Sequence, residues 1–437
     1  MKFWYQAILF LVGCIATQVS AQPLEKQPNV LLIIADDMGL DASPCHKSFG
    51  TVKPDMPTLS DLCAQGVRFD NAWAAPMCSP TRASILTGRH GFRTGVTSPT
   101  TPKKGGINPN EITLFDRLNE INVKSAAIGK WHLADQNNGW LNNPKSVGIN
   151  HFSGILESGV KDYFQWDLVT NGKTTKQTEY STSKLSDLAI AWLKDQNEQP
   201  WFLWLAYNAA HVPFQTPPQH LIGDNKATGN HQTYNQMLSA MDTEMARVIN
   251  SLPANVKDNT IIIFVGDNGS PKRVAQGPLR AAKGALYEGG IRVPLAISGK
   301  NILSATSNQA LVNTTDLYAT ILNFYQLPSN AEDSISFSSY LAKTNNNVNQ
   351  PVRSFNYSEI TANAGKKNKK RKNKTKPTGW VITDGQYKLL VIEGQEEQLF
   401  DLTADPYEKL NLLTTPTEQA IAIQKQLHAL ERKLKGA

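Results

Sequence analysis

Two acidic clusters stand where apolar runs stop. Asp36 and Asp37 directly follow 29–35 (NVLLIIA), and Asp267-Asn268-Gly269 follows 260–265 (TIIIFV) with one glycine between. Adjacent carboxylates repel, so a pair at the end of a buried strand needs water or a cation to compensate it. Asp-Asn-Gly alone is a common turn. Two oxygen-rich clusters at the carboxyl ends of parallel strands point instead to a hard cation, because ligands of such sheets gather there. Aspartates and an asparagine suit Ca²⁺ or Mg²⁺ and disfavour Zn²⁺, which prefers histidine or thiolate.

The stretch 76–88 (PMCSPTRASILTG) sets Cys78, Pro80 and Arg82 as C-x-P-x-R, ahead of a helical segment that stops at Thr87-Gly88. A lone loop cysteine is usually a buried thiol, but that leaves the spacing of the proline, the arginine and Leu-Thr-Gly unexplained. This stretch resembles the signature of the type I sulfatases at each defining position. Other segments resemble the same family, in family order. NVLLIIADDMG resembles its first strand and metal-binding aspartates, and GKWH (129–132) its lysine–histidine motif. LAYNAAHVPF (205–214) resembles the strand and loop that deliver a histidine. FVGDNG resembles the second metal segment, LRAAKGALYEGGIRVP (279–294) the segment with the second lysine, and LFDLTADPYEKLNL (399–412) the C-terminal hairpin. Together they span nearly the whole chain after its leader. Ala134 departs from the family, which usually has glycine after GKWHL.

The resemblance implies that Cys78 is a precursor, oxidised to formylglycine by a maturation enzyme before folding. One hydroxyl of the aldehyde hydrate attacks sulfur, the alcohol leaves, and the second hydroxyl expels sulfate by re-forming the aldehyde. No water then has to attack a second, inert sulfate ester; a serine could take the first step but has no such exit. By the same resemblance Asp36, Asp37, Asp267 and Asn268 bind one cation, Ca²⁺ ahead of Mg²⁺, with modified Cys78 as a further oxygen ligand. Arg82 holds the diol. Lys130 and Lys283 offset the charge on the sulfate oxygens. His211, with Lys283, protonates the leaving oxygen, and His132 takes the proton of the second hydroxyl. Singly, His132 and His211 would be ordinary structural histidines and the lysines solvated ones; their surrounding motifs reverse that reading. The expected activity is sulfuric ester hydrolysis on sulfated polysaccharides or oligosaccharides. The alternatives are a phosphate or phosphonate ester hydrolase on the same fold, and a non-catalytic sulfoglycan-binding protein that keeps an unmodified Cys78.

These side chains have to be held by an α/β scaffold. The uninterrupted apolar runs 29–35, 201–207 and 260–265 read as strands buried on both faces. Helices are predicted over 57–66 and 113–122, with a short strand over 124–128 between such elements. Met237, Leu238, Met241, Met245, Val248 and Ile249 mark one helix face. Strands alternating with helices predict a mainly parallel sheet sandwiched by helices, and the resemblance makes it alkaline-phosphatase-like. After about residue 340 the pattern changes to short strands over 380–382, 387–392 and 398–402, joined by turns at Asp384-Gly385 and Glu393-Gly394, and a helix over 418–434. The expected division is a signal peptide over 1–21, a catalytic domain over 22–340, and a smaller C-terminal antiparallel-sheet domain over 341–437.

Composition fits an exported globular enzyme. The chain has 437 residues, 40% hydrophobic and 19% charged, which suffices for a large core and excludes disordered and collagenous classes. The start reads as a signal peptide: Lys2, an apolar run over 3–16, and Val19-Ser20-Ala21 as the cleavage pattern. Leu11-Val12-Gly13-Cys14 also resembles a lipoprotein box, which would anchor the protein through Cys14. The protein is thus expected to be secreted or periplasmic, with no transmembrane segment once mature. Four cysteines are too few for a disulfide scaffold; Cys45 and Cys63 can pair or remain two buried thiols. The net charge of +7 is local, since 366–376 (KKNKKRKNKTK) holds eight basic residues. That insertion, absent from the family pattern, is either a solvated loop or a tether for a sulfated glycan. Without a recognition motif or interleaved aromatics it does not point to nucleic acid.

Overall fold

In this computed structural model the described residues are 27–196, 199–222, 229–342, 352–361 and 378–436. The expected leader, Cys14 and the basic run 366–376 lie outside them.

Apolar runs build the centre of the molecule. Strand β1 (Asn29–Ala35) is buried along its whole length. Val30, Leu32 and Ile34 enter one hydrophobic layer, while Leu31, Ile33 and Ala35 enter the other. A strand with no polar face needs cover on both sides, which helices supply. The remaining strands of the large sheet are β2 (Val67–Trp73), β3 (Lys124–Lys130), β4 (Phe152–Ile155), β5 (Trp166–Thr170), β6 (Lys173–Gln177), β7 (Trp201–Ala206), β8 (Thr260–Gly266), β9 (Leu295–Gly299) and β10 (Thr306–Asn313). Their order is β10-β2-β9-β8-β1-β7-β3-β4-β5-β6. β9 runs antiparallel to both neighbours and β5 antiparallel to β4 and β6; the other strands share one direction. The sheet is therefore mixed and mostly parallel, as expected.

Several boundaries differ from the sequence expectation. β3 runs two residues further, because parallel pairing with β4 carries through Gly129 and Lys130. The helix expected over 113–122 is shorter, Leu114–Asn119. Thr113 and Asp116 close its start in a reciprocal capping box, and Asn122 at φ 57° cannot continue it. The helix Gly229–Asn250 buries Met237, Leu238, Met241, Met245, Val248 and Ile249, the predicted face.

A second sheet is antiparallel: β11 (Asn356–Ile360), β12 (Gly379–Thr383), β13 (Tyr387–Ile392) and β14 (Gln398–Asp401). One face packs Ile382, Leu389 and Leu399 under Ala420 and Leu427 of the helix Glu418–Lys435. The other packs Val381, Leu390 and Phe400 on Trp73, Leu286 and Ile291 of the large sheet's surroundings. Cys45 and Cys63 are joined by a disulfide, which leaves Cys78 as the free cysteine among the described residues.

Candidate active site

The carboxyl ends of β1, β8, β3 and β7 converge, as expected where a parallel sheet presents a ligand site. β1 and β8 are neighbours in register, so Asp36-Asp37 and Asp267-Asn268 emerge side by side. The backbone N–H of Asp37 donates to Asp267 Oδ1 at 3.0 Å, and Asn268 Nδ2 donates to Asp37 Oδ1 at 2.9 Å. Asp37 itself sits at φ 61°, an uncommon conformation that Asp tolerates better than most residues. Gly269 is required next to them: a Cβ there would lie 2.0 Å from the Gly289 carbonyl oxygen.

Cys78 is the first residue of the helix Cys78–Thr87. The first turn of a helix has N–H groups without intrahelical partners, so Pro80 costs no hydrogen bond there. Arg82, four residues on, falls on the same side as Cys78. That is the physical content of C-x-P-x-R. Cys78 Sγ is 3.3 Å from Asp36 Oδ1 and 3.7 Å from Asp37 Oδ1, with Lys283 Nζ at 3.4 Å. Asp36, Asp37, Asp267 and Cys78 each offer a ligand atom within 4.8 Å of the others, all buried. Arg82 is fully buried; its Nε and Nη2 donate to Asp267 Oδ2 at 3.2 and 2.8 Å, and Nη1 to the Lys130 carbonyl at 2.7 Å.

Lys130 ends β3 and donates to Asp36 Oδ2 at 2.5 Å. Lys283 pairs closely with Asp37. Asp36, Asp37 and Asp267 thus face Arg82, Lys130 and Lys283, and the charges cancel. Burial, with Asp267 and Asp37 nearby, still pushes Asp36 up to about 7 in spite of Lys130 and Arg82. Burial also opposes ionisation of Asp37, yet Lys283, His211 and Lys130 hold it well below the usual carboxylate range. Burial, with Asp267 and Asp36 beside it, drives the Cys78 thiol well above its usual value. As a thiol, position 78 is uncharged and a poor nucleophile.

His132 and His211 stand on either side. His132 adopts φ 60°, with its N–H on the Leu156 carbonyl at 3.1 Å. Its Nε2 lies 3.0 Å from the Thr100 carbonyl, an acceptor only, so the proton of the neutral ring resides on Nε2. Nδ1 is buried with no hydrogen-bond partner among the described residues, a lone pair without a proton. Burial, then Lys130 and Arg82, holds this ring well below the usual histidine range. His211 Nδ1 is 2.8 Å from the Val212 carbonyl, which leaves Nε2 as its exchanging nitrogen. Burial and Lys130, helped by Lys283 and opposed by Asp37, lower His211 to about 4.

Every residue singled out in the sequence for this site is therefore found in one cluster. Others in it were not singled out. Thr100 fixes the His132 tautomer. The Tyr163 hydroxyl lies 2.7 Å from both the Asn208 and His211 carbonyls and braces the loop after β7. Asn208 sits inside the LAYNAAHVPF segment, where the motif could have pointed to it; Thr100 and Tyr163 lie in stretches without pattern.

A second buried charge cluster braces the Lys283 segment. Lys388 Nζ, on β13, lies 2.8 Å from Glu288 Oε1 and 2.7 Å from Glu408 Oε1, and Glu288 N–H donates to Glu408 Oε2 at 2.8 Å. Removing one partner of such a group leaves uncompensated buried charge. Lys388→Met is expected to destabilise the fold by about 3–5 kcal/mol, read as a lower denaturation midpoint at unchanged slope; an unaltered midpoint would contradict this.

The residues present fit a hard divalent cation. Three carboxylates and an amide oxygen supply the donors, and Asn268 Oδ1 is buried with no hydrogen-bond partner among the described residues. An orphaned oxygen beside three aspartates is the donor set such an ion takes.

Comparison with known proteins gives the family. A family model described as Sulfatase matches residues 28–326. The chain is 29% identical to arylsulfatase J of Mus musculus over 340 residues, covering 71% of this chain and 55% of the relative. It is 27% identical to N-acetylgalactosamine-6-sulfatase of Homo sapiens over 339 residues, covering 70% and 63%. The chain thus spans less than two thirds of the length of these relatives. Among solved structures, Ps i-CgsB in complex with k-i-k-neocarrahexaose superposes with a TM-score of 0.77 at 26% identity, covering 94% of this chain and 93% of that one. BT4656 in complex with D-glucosamine-2-N,6-O-disulfate shares the fold, with a TM-score of 0.74 at 20% identity over 94% and 98%. With a family match across most of its length and the Cys78 signature set among its aspartates, this chain belongs to the sulfatase family.

Proposed function

We propose that this protein hydrolyses sulfate esters of glycans, with position 78 converted to formylglycine. The observation that carries this reading is the setting of Cys78: a buried, protonated thiol at a helix start, among three carboxylates and three cations. That setting suits a hydroxylated side chain better than a thiol. Hydrated formylglycine would supply one hydroxyl to attack sulfur and a second whose deprotonation releases sulfate as the aldehyde re-forms. A divalent cation held by Asp36, Asp37, Asp267 and Asn268 would supply the charge that eases ionisation of the attacking hydroxyl.

The chain's own residues do the rest. Arg82, anchored by Asp267 and the Lys130 carbonyl, holds positive charge under position 78. Lys130 and Lys283 face the sulfate oxygens and stabilise the charge moving onto the leaving oxygen. His211 delivers a proton to that oxygen from Nε2. The sulfate anion raises the affinity of this ring for the proton, offsetting Lys130 and Lys283. His132 accepts the proton of the second hydroxyl at Nδ1, the atom left free by the Thr100 contact.

The near-complete burial of Cys78, 2% exposed, favours its modification before folding, by a formylglycine-generating maturation enzyme. The Cys45–Cys63 disulfide supports export to an oxidising compartment, secreted or periplasmic. No helix among the described residues is long and apolar enough to cross a membrane. One solved neighbour is a complex with k-i-k-neocarrahexaose and another a complex with D-glucosamine-2-N,6-O-disulfate, which supports a sulfated glycan as substrate.

Side-by-side turnover of an aryl sulfate and the matching aryl phosphate tests the reaction class; faster phosphate turnover would replace the sulfatase reading. His211→Ala should cost about 10²–10³-fold on a sugar sulfate and only about tenfold on a nitrophenyl sulfate, whose leaving group needs little protonation. Equal losses on the two substrates would remove His211 from the acid role.

A further inference from the structure

A groove of about 620 Å³ borders the site on the side of β4–β6. It reaches Gly159, which lies against the His211 ring; a Cβ there would come within 2.9 Å of Nδ1. Leu156, on the same wall, accepts the backbone N–H of His132. Two residues of the groove wall, Leu156 and Gly159, therefore adjoin the two histidines, neither of which lines the groove itself.

Its lining is mixed. Trp140 presents a half-buried indole, carried by the loop that begins at Ala134. Asp135 stiffens this loop: its carboxylate accepts the N–H groups of Gly106 and Asn137, and its carbonyl accepts that of Trp140. Gln165 and Thr178 bring amide and hydroxyl groups. Lys161 is exposed and has no ion-pair partner among the described residues, whereas Lys176 is spent on Asp167 at 2.7 Å. Glu157 balances Lys161 in charge. A flat aromatic platform among neutral hydrogen-bonding groups suits the faces and hydroxyls of sugar rings, and the volume falls within the range of pockets that enclose a whole ligand. The lack of net charge does not suit a dense polyanion.

Resting on the sulfatase reading above, we propose that this groove binds the sugars flanking the scissile sulfate, and that it selects a sparsely sulfated oligosaccharide over a densely sulfated one. Trp140 supplies the stacking platform and Lys161 meets a single flanking sulfate.

Binding is measured by calorimetry in the Cys78→Ala background, with a κ-carrageenan tetrasaccharide and a heparin tetrasaccharide as probes. The carrageenan fragment should bind at least about tenfold more tightly, and Trp140→Ala or Lys161→Ala should each weaken it about tenfold. In matured enzyme without the Cys78→Ala substitution, the same two substitutions should leave kcat/KM for nitrophenyl sulfate within about twofold. Tighter binding of heparin, unchanged binding in both variants, or equal losses on nitrophenyl sulfate would each overturn the groove assignment. If matured enzyme fails to cleave nitrophenyl sulfate while carrageenan binding still depends on Trp140 and Lys161, the sulfatase reading falls and the groove stands.

Discussion

Cys78→Ala is expected to lower sulfate-ester turnover by at least ~10⁴-fold, on the scale of removing an enzymatic nucleophile, while leaving the melting temperature nearly unchanged. The stability should survive because Sγ contributes no bridge and little volume to the site, whereas Arg82, Lys130 and Lys283 keep their carboxylate partners. Cys78→Ser separates the two halves of the chemistry. A serine hydroxyl can accept sulfate from the substrate, but it has no second hydroxyl with which to expel it. The expected result is a single turnover, with a stable sulfate ester on the side chain at position 78 visible by peptide mass spectrometry. In the fully active parent, the peptide over 76–88 should carry oxygen in place of sulfur at position 78. A thiol retained there at full activity would end the proposed mechanism.

Removing divalent cations is the second large effect. Chelation should lower turnover by ~10⁴-fold, the several kcal/mol that a bound cation contributes at a charged transition state, and Ca²⁺ should restore it better than Mg²⁺. The charge balance explains why. The three carboxylates and three cationic side chains already cancel, and Lys130 and Lys283 are engaged by Asp36 and Asp37. A cation held by those carboxylates would leave both ammonium groups for the sulfate oxygens, and its two positive charges would offset the negative charge of the substrate and the nucleophile. Asn268→Leu removes the one donor oxygen that has no other use and should raise the Ca²⁺ concentration needed for half-maximal activity by ~100-fold. Full activity in enzyme shown by elemental analysis to hold no divalent metal would refute the assignment.

Much of the scaffold could be read without coordinates because its central strands are apolar on both faces, so a run such as 29–35 needs no partner to be recognised. β2, β4, β5, β6, β9 and β10 escaped that reading: β2, β5 and β10 mix buried with half-buried or exposed positions, β6 has no buried face, and β4 and β9 are only four and five residues long. β11 escaped because Asn356, Ser358 and Glu359 interrupt its apolar pattern; it pairs with β12 across a long stretch of intervening chain.

The site divides in the same way. The amino-acid sequence alone singled out the candidate site residues, Asp36, Asp37, Cys78, Arg82, Lys130, His132, His211, Asp267, Asn268 and Lys283, because each is embedded in a local segment that resembles a family motif. Only the tertiary structure decided how they are tuned. Which ring nitrogen of His132 bears the proton depends on a carbonyl thirty-two residues away. The brace on His211 comes from Tyr163, and the Lys283 segment is secured by Lys388 and Glu408 from the C-terminal region. Composition left Cys45 and Cys63 open between pairing and two separate thiols, and proximity in the fold joined them. Such contacts link backbone atoms and charges far apart in the chain, and hydrogen bonding and burial act on distances that residue order does not encode.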